Sequence, residues 1–410
     1  MAEEWGRERT APVTVGVPGR KSRAARLKEE RKRRRRNRTR LVVVAILLVV
    51  VISAVFIGSR LWHGWFGDYS GDGKNDVVIQ VQKGDSTRAI GQTLVDNHVV
   101  ASVQKFVDAA HGNSAMESIQ PGYYQMRTEI SASDAVRRLT DPQSRVGKLV
   151  IPEGRQLDDV QDVKTNAMTE GVFTLISRAS CAQMDGERRC VSVDALRQVA
   201  GTDSASALNV PSWAEKQVTA MGGDHRRLEG LISPGTWDIN PSWTPEEMLA
   251  RLIGNSATLY AQHGLGESPD GVAMSTYQTL IVASLVQRES KPADFAKVAR
   301  VIYNRLQEHQ KLEFDSTVNY PLDRQEVATT DADRGRSTPW NTYVNEGLPE
   351  TPICSPGEQA LAAAVRPEPG DWLYFVTVDM QGTTLFTRDY QEHLANIELA
   401  KRNGVLDSAR

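Results

Sequence analysis

The sequence predicts an α+β protein whose folded part follows a single-pass N-terminal membrane helix. Three observations carry that prediction. An apolar run, Leu41 to Gly58, directly follows a stretch dense in Lys and Arg. Beyond it, short segments rich in Val, Ile and Tyr each precede a capped helical pattern, the grammar of strand, turn and helix. From Thr244 to Arg305, apolar residues then recur at helical spacing over longer stretches. With 410 residues, 40% hydrophobic and 24% charged, the chain can bury more than one core, and a disordered polymer is excluded.

The formal net charge of −2 conceals an asymmetry, since Lys21 to Arg40 is basic and the remainder acidic. Residues 1–40 read as a disordered cytoplasmic tail, 41–60 as a transmembrane signal anchor and 61–76 as a linker rich in Gly, Asp and Asn. About 18 apolar or small residues are just enough to cross the hydrocarbon core as a helix. The positive-inside rule keeps the N-terminus in the cytoplasm and sends everything after Arg60 outward, with Trp62, Trp65 and Phe66 as interfacial anchors. A cleaved signal peptide would have a shorter charged region, a shorter apolar core and a small-x-small site after it. Because the basic run abuts the span, the membrane accounts for Arg33 to Arg36 and no nucleic-acid partner is expected.

Three cysteines allow one internal disulfide, and Cys181 with Cys190, close together in the outward region, is the candidate. Cys354 would then remain a packed thiol. No C-x-x-C or H-E-x-x-H pattern occurs and the seven histidines are scattered, so neither metal nor cofactor is expected.

Taken in order, Val77 to Gln82 predicts a strand, Lys83-Gly-Asp-Ser86 a turn, and Thr87 to Asp96 a helix with Ile90 and Leu94 inward. The pattern returns with Gly122 to Met126 as a strand and a helix capped by Ser131 or Ser133 that carries Ala135, Val136 and Leu139. Lys148-Leu-Val-Ile-Pro-Glu-Gly154, with Leu157 and Val160, predicts a third strand-turn-helix unit. The Gly-Asp-Ser turn resembles a lysin-motif module, which implies a LysM-like glycan-binding subdomain over residues 77–147, ahead of a larger α+β catalytic domain over 148–405. Residues 165–225 suggest helices and loops without chemistry of their own. Thr244, followed by Pro245 and two acids, is the N-cap pattern of a helix carrying Leu249, Leu252 and Ile253.

The segment Leu280 to Ser290 is an apolar helix in which Val282, Leu285, Val286 and Glu289 share one face. Helices commonly end in Arg-Glu pairs that reach solvent. A carboxyl on a buried face can instead be held in a partly apolar cleft, where desolvation raises its pKa toward the range of a general acid. Pro292 stops this helix, and Asp294 can cap the next, with Phe295, Val298, Ala299, Ile302 and Leu306 forming a stripe that ends at Asn304 and Arg305. Polar, turn-rich loops follow.

Ala283-Ser-Leu-Val-Gln-Arg-Glu289, Val301-Ile-Tyr-Asn-Arg305, Asp315-Ser-Thr-Val-Asn-Tyr320, Ser337 to Tyr343, Gly347-Leu-Pro349 and Pro352 to Gly357 occur in that order. In this they resemble the endolytic murein transglycosylase family, the YceG-like proteins. Tyr374-Phe-Val376, Phe386-Thr387 and Glu392-His393 extend the resemblance toward the C-terminus, and Ile151-Pro-Glu-Gly154, Glu229-Gly230, Pro234 and Thr236 extend it upstream. Trp340, Phe314 and Ser355 stand where that family more often has Tyr, Ser and Asn.

The resemblance implies that Glu289 is the catalytic residue of a peptidoglycan lytic transglycosylase that cuts MurNAc-β-1,4-GlcNAc bonds without water and leaves 1,6-anhydro-MurNAc ends. Asn304, Arg305, Asp315, Ser337, Asn341 and Tyr343 are the candidates for positioning the glycan. The implied partners are peptidoglycan glycan strands, the cell membrane and membrane-bound synthases. Two rivals remain open from the residues: a hydrolysing muramidase pairing Glu289 with Asp315, and a non-catalytic glycan-binding scaffold.

Overall fold

The computed structural model describes residues 46–53, 67–163, 165–184, 186–267, 272–322 and 329–405, and the backbone of 324–325. The chain divides into two units, Met1–Gly67 and Asp68–Arg410. In the first unit residues 46–53 are helical and exposed. No helix of the described residues is long and apolar enough to cross a membrane. The remainder of the predicted span, the basic tail and residues 61–66 of the linker lie outside the described residues.

The second unit is mixed α+β, as predicted. It opens with strand β1 (Asp76–Val81), helices α1 (Thr87–Asp96) and α2 (Val103–Ala110), strand β2 (Gly122–Arg127), helix α3 (Ala132–Thr140) and strand β3 (Arg145–Val146). The β1 and β2 strands pair antiparallel, Val77 opposite Met126 and Ile79 opposite Tyr124, and β3 joins the outer edge of β2. Ser86 and Ser131 cap α1 and α3 by accepting the Ala89 and Asp134 N–H groups at 3.2 and 3.1 Å. Ile79, Leu94, Phe106, Met126 and Ala135 form one cluster of buried side chains.

The third strand-turn-helix unit is only half present. Strand β4 (Lys148–Ile151) forms, but no helix follows it, and Val160–Asp162 is extended. The backbone groups that a helix would use are engaged elsewhere: the Leu157 N–H donates to Glu229, and the carbonyls of Gln156 and Leu157 accept from Val172 and Phe173 at the start of helix α4 (Val172–Ala179). The β4 strand instead pairs with β5 (Gly235–Asp238), which leads to helix α5 (Pro245–Gln262), started by a capping box between Thr244 and Glu247.

Helix α6 (Thr276–Glu289) lies at the centre of the larger core. From Thr279 through Val286 every side chain is buried, so over those eight residues the helix has no solvent face rather than one apolar stripe. That places Ser284 inside, where it donates to the Ile281 carbonyl at 2.8 Å and accepts the Ile353 N–H at 3.0 Å. Helix α7 (Phe295–Gln307) and helix α8 (Glu358–Val365) pack against α6. Asp294 belongs to a 3-10 turn and makes no capping hydrogen bond to α7.

Residues 165–225 supply Phe173, Ile176, Leu196, Ala200, Ala214 and Val218 to the same core, a supporting role. Cys181 and Cys190 are joined in a disulfide. It closes a hairpin that lies on β1 and β2: Gln183 and Gln125 exchange two 3.0 Å hydrogen bonds, and the Gly186 N–H donates to Asp76 at 3.1 Å. Cys354 is free and buried.

Candidate active site

Glu289 is the last residue of α6, and Ser290 turns the chain into extended backbone. Its half-buried side chain borders a cavity of about 650 Å³, within the usual range for a ligand site. Facing it are Asp315 at the start of the short helix α9 (Asp315–Asn319), then Arg334 at the end of the helical turn Asp331–Arg334 and Tyr343 from the loop beyond it. The far wall comes from strand β6 (Tyr374–Thr377) and from His393 and Ile397 of the C-terminal helix α10 (Tyr390–Arg402).

Burial raises the Glu289 pKa to about 7, and the charge of Asp315 adds to the shift, while the Ser316 hydroxyl, the Arg288 charge and the Ser316 N–H oppose it. The negative end of the α6 dipole acts in the same direction as burial. The Ser316 hydroxyl is buried beside this carboxyl without a well-formed hydrogen bond.

Asp315 moves the opposite way. Burial would raise its pKa too, but hydrogen bonds from Arg334, Thr329 and Tyr343, with the charge of Arg334, hold it below the ordinary carboxylate value. Its Oδ1 accepts from the Thr329 hydroxyl at 2.6 Å, the Tyr343 hydroxyl at 2.7 Å and Arg334 Nε at 3.2 Å, and its Oδ2 accepts from Arg334 Nη2 at 3.2 Å. The Arg334 guanidinium also lies 5.1 Å from the Tyr343 ring centroid. One cavity therefore holds an acid near neutrality and a carboxylate whose oxygens are held by donors.

Of the glycan-positioning candidates, Asp315, Tyr343 and Arg305 line this cavity with Glu289, whereas Asn304, Ser337 and Asn341 do not. Asn304 Nδ2 donates to the carbonyls of Gly370 and Trp372 at 3.2 and 2.9 Å. Asn341 is buried and donates to the carbonyls of Arg334 and Arg336, which ties the loop after Arg334 back to the helical turn Asp331–Arg334. Ser337 is exposed on that loop. Arg305 is buried and serves mainly as a brace: Nε donates to the Leu373 carbonyl at 2.7 Å, and Nη1 donates to those of Lys311 and Leu312 at 2.9 and 3.0 Å.

The chain matches the YceG-like family over residues 79–399. It belongs to the YceG-like family. Among named relatives it is 26% identical over 324 residues to the endolytic murein transglycosylase of Bacillus subtilis (strain 168), covering 78% of this chain and 84% of that one. It is likewise 26% identical over 342 residues to the endolytic murein transglycosylase of Streptococcus pneumoniae serotype 2, covering 79% of this chain but 58% of the relative. A crystal structure of a YceG-like protein from Listeria monocytogenes shares 23% identity, with a TM-score of 0.48, over 78% of this chain and 99% of that chain.

Several residues of this YceG-like site carry no local sequence signal. Arg334 and Thr329 lie in a segment whose apolar periodicity is too weak to place it. His393, quoted above only for the resemblance, is brought into the cavity by α10 and stacks on Tyr374 with ring centroids 4.9 Å apart. Burial and the Arg305 charge lower its pKa, which leaves the imidazole uncharged at neutrality. Glu229 lies outside the cavity yet is a second carboxyl that burial drives upward, to about 8.

Proposed function

We propose that this chain is a membrane-anchored lytic transglycosylase of peptidoglycan, cutting MurNAc-β-1,4-GlcNAc bonds inside glycan strands with Glu289 as its single acid and base. One observation carries the reading: Glu289 ends a buried helix at the cavity with its pKa raised to about 7, while neighbouring Asp315 is held ionised by its donors. The names of the two relatives point the same way.

Protonated Glu289 gives its proton to the glycosidic oxygen, the C1–O4 bond breaks with its electron pair going to that oxygen, and positive charge develops at the muramoyl C1. The Glu289 carboxylate then takes the proton of the muramoyl C6 hydroxyl as O6 bonds to C1. No water is consumed, and Glu289 ends the cycle protonated. A positioned acid/base is worth about 10²- to 10⁴-fold, so sugar distortion and charge stabilisation must contribute too. The ionised Asp315 can stabilise the developing cation through space.

A hydrolysing muramidase would need Asp315 as nucleophile or base, and its existing hydrogen bonds from Thr329, Tyr343 and Arg334 oppose that role. Mass spectrometry of glycan products decides: wild type yields 1,6-anhydro ends, and Glu289→Gln loses cleavage by at least about 10²-fold while remaining folded. Reducing-end muramic acid from wild type, or retained cleavage by Glu289→Gln, would overturn the reading.

The basic stretch 21–40 followed by the apolar run 41–58 supports a single-pass anchor with a cytoplasmic N-terminus and an extracytoplasmic catalytic region. Held at the membrane, the enzyme reaches nascent strands before mature wall. That supports a role in terminating glycan elongation beside membrane-bound synthases, with the LysM-like region, residues 77–147, gripping the strand.

A further inference from the structure

Glu229 is 1% exposed and follows the 3-10 turn His225–Leu228. Its Oε2 accepts from the Leu157 N–H at 3.0 Å and from the Tyr320 hydroxyl at 2.9 Å, and its Oε1 accepts from the Gly230 N–H at 3.3 Å. A carboxyl so deeply buried is a liability that a well-packed apolar residue would avoid, so stability alone does not explain it.

What distinguishes this site is the side-chain donor, Tyr320. Tyr320 directly follows α9, and its N–H donates to the Ser316 carbonyl at 3.0 Å, so its ring continues the helix that presents Asp315 and Ser316 to Glu289. The ring cannot swing aside: Trp340 meets it edge-on with centroids 5.3 Å apart, and Trp340 is itself fixed by an Nε1 hydrogen bond to Thr351 at 2.8 Å. The other end of the link is equally pinned. Gly230 has φ +74°, a Cβ there would come within 2.5 Å of Pro352, and its carbonyl accepts the Tyr260 hydroxyl at 2.9 Å.

We propose that Glu229 is a positioning residue: through the Tyr320 hydroxyl it sets the placement of α9, and thereby how closely Asp315 and Ser316 approach Glu289. The link does not touch the cavity, whose walls include neither Glu229 nor Tyr320. Neither residue contacts the glycan, and the link reaches Glu289 only through the placement of Asp315 and Ser316. Asp315 raises that acid's pKa and Ser316 lowers it, so a shift of α9 changes the balance between them. The inference rests on the reading of Glu289 as the acid/base.

The test uses the full chain in detergent with glycan strands as substrate. Tyr320→Phe removes one oxygen and keeps the ring. It should lower kcat about 10- to 100-fold, the loss expected for a misplaced catalytic group. KM should stay within about twofold, and the alkaline limb of the pH–kcat profile should move by about half a pH unit or more. Glu229→Ala should reproduce that displaced limb, and Glu229→Gln, which keeps an acceptor for Leu157 and a polar partner for Tyr320, should restore it toward wild type. A wild-type pH profile in Tyr320→Phe and Glu229→Ala, with any loss of rate following the loss of Tm, would overturn the inference. Measured alongside, Glu289→Gln keeps the failures apart: if it retains cleavage, the functional reading falls and takes this inference with it. If it is inactive while Tyr320→Phe matches wild type, only the positioning role falls.

Discussion

Glu289 and Asp315 face one cavity and are driven in opposite directions, a separation expected where one group must donate a proton and the other must stay charged. Helical spacing put Glu289 on a buried face, but nothing local predicts that Asp315 is held by Thr329, Arg334 and Tyr343, which arrive from up to 28 positions along the chain. The like charge of Asp315 raises the Glu289 pKa, so Asp315→Asn should lower it. The alkaline limb of kcat/KM against pH, near 7 in wild type, should then move to lower pH. Activity below that limb should fall by less than about 10²-fold, short of the full acid/base contribution. Complete loss at every pH would favour a second catalytic carboxylate.

Among the elements, the buried α6 helix and the loops after it divide the work between rigidity and presentation. The pattern Leu280 to Glu289 made the helix legible, yet its burial on all sides was not, because a helix at the centre of a core and one with a single apolar stripe differ little over ten residues. Arg305 shows the converse. The family resemblance made it a candidate for positioning the glycan, and it does border the cavity, but packing commits its guanidinium to bracing residues 311–312 to the start of β6. Arg305→Met should therefore destabilise the fold by about 2–4 kcal/mol through buried carbonyls left without donors. Thermal or urea unfolding would measure this. An unchanged Tm with raised KM would restore the glycan-contact reading.

In the whole molecule, the two raised carboxyl groups give stability a pH dependence. Glu229 and Glu289 have an ordinary value of 4.5 and folded values of about 8 and about 7. Between those limits the unfolded chain has released protons that the folded chain retains, so the stability contributed by these two groups is fully present below about pH 4.5 and is lost as pH rises through 7 and 8. The Tm of the full chain should fall over that interval, and Glu229→Gln should flatten the fall. A wild-type slope in that variant would show that Glu229 does not titrate in this window.

Composition, periodicity and capping residues act over a few positions. They were enough for the α+β class, for the β1–α1 and α3 segments with their Ser86 and Ser131 caps, for the Thr244 helix start, and for a carboxyl at the end of an apolar helix. The third repeat failed because the backbone of Gln156 and Leu157 bonds to Val172, Phe173 and Glu229, partners more than a dozen residues away. Asn304 and Arg305 reach carbonyls of residues 370–373, more than sixty positions away, whereas Asn341 holds carbonyls of its own loop. The ionisation of Glu289 and Asp315, and the link from Glu229 through Tyr320, likewise exist only once segments remote in sequence exclude water together, because desolvation and long-range hydrogen bonds are properties of the assembled core.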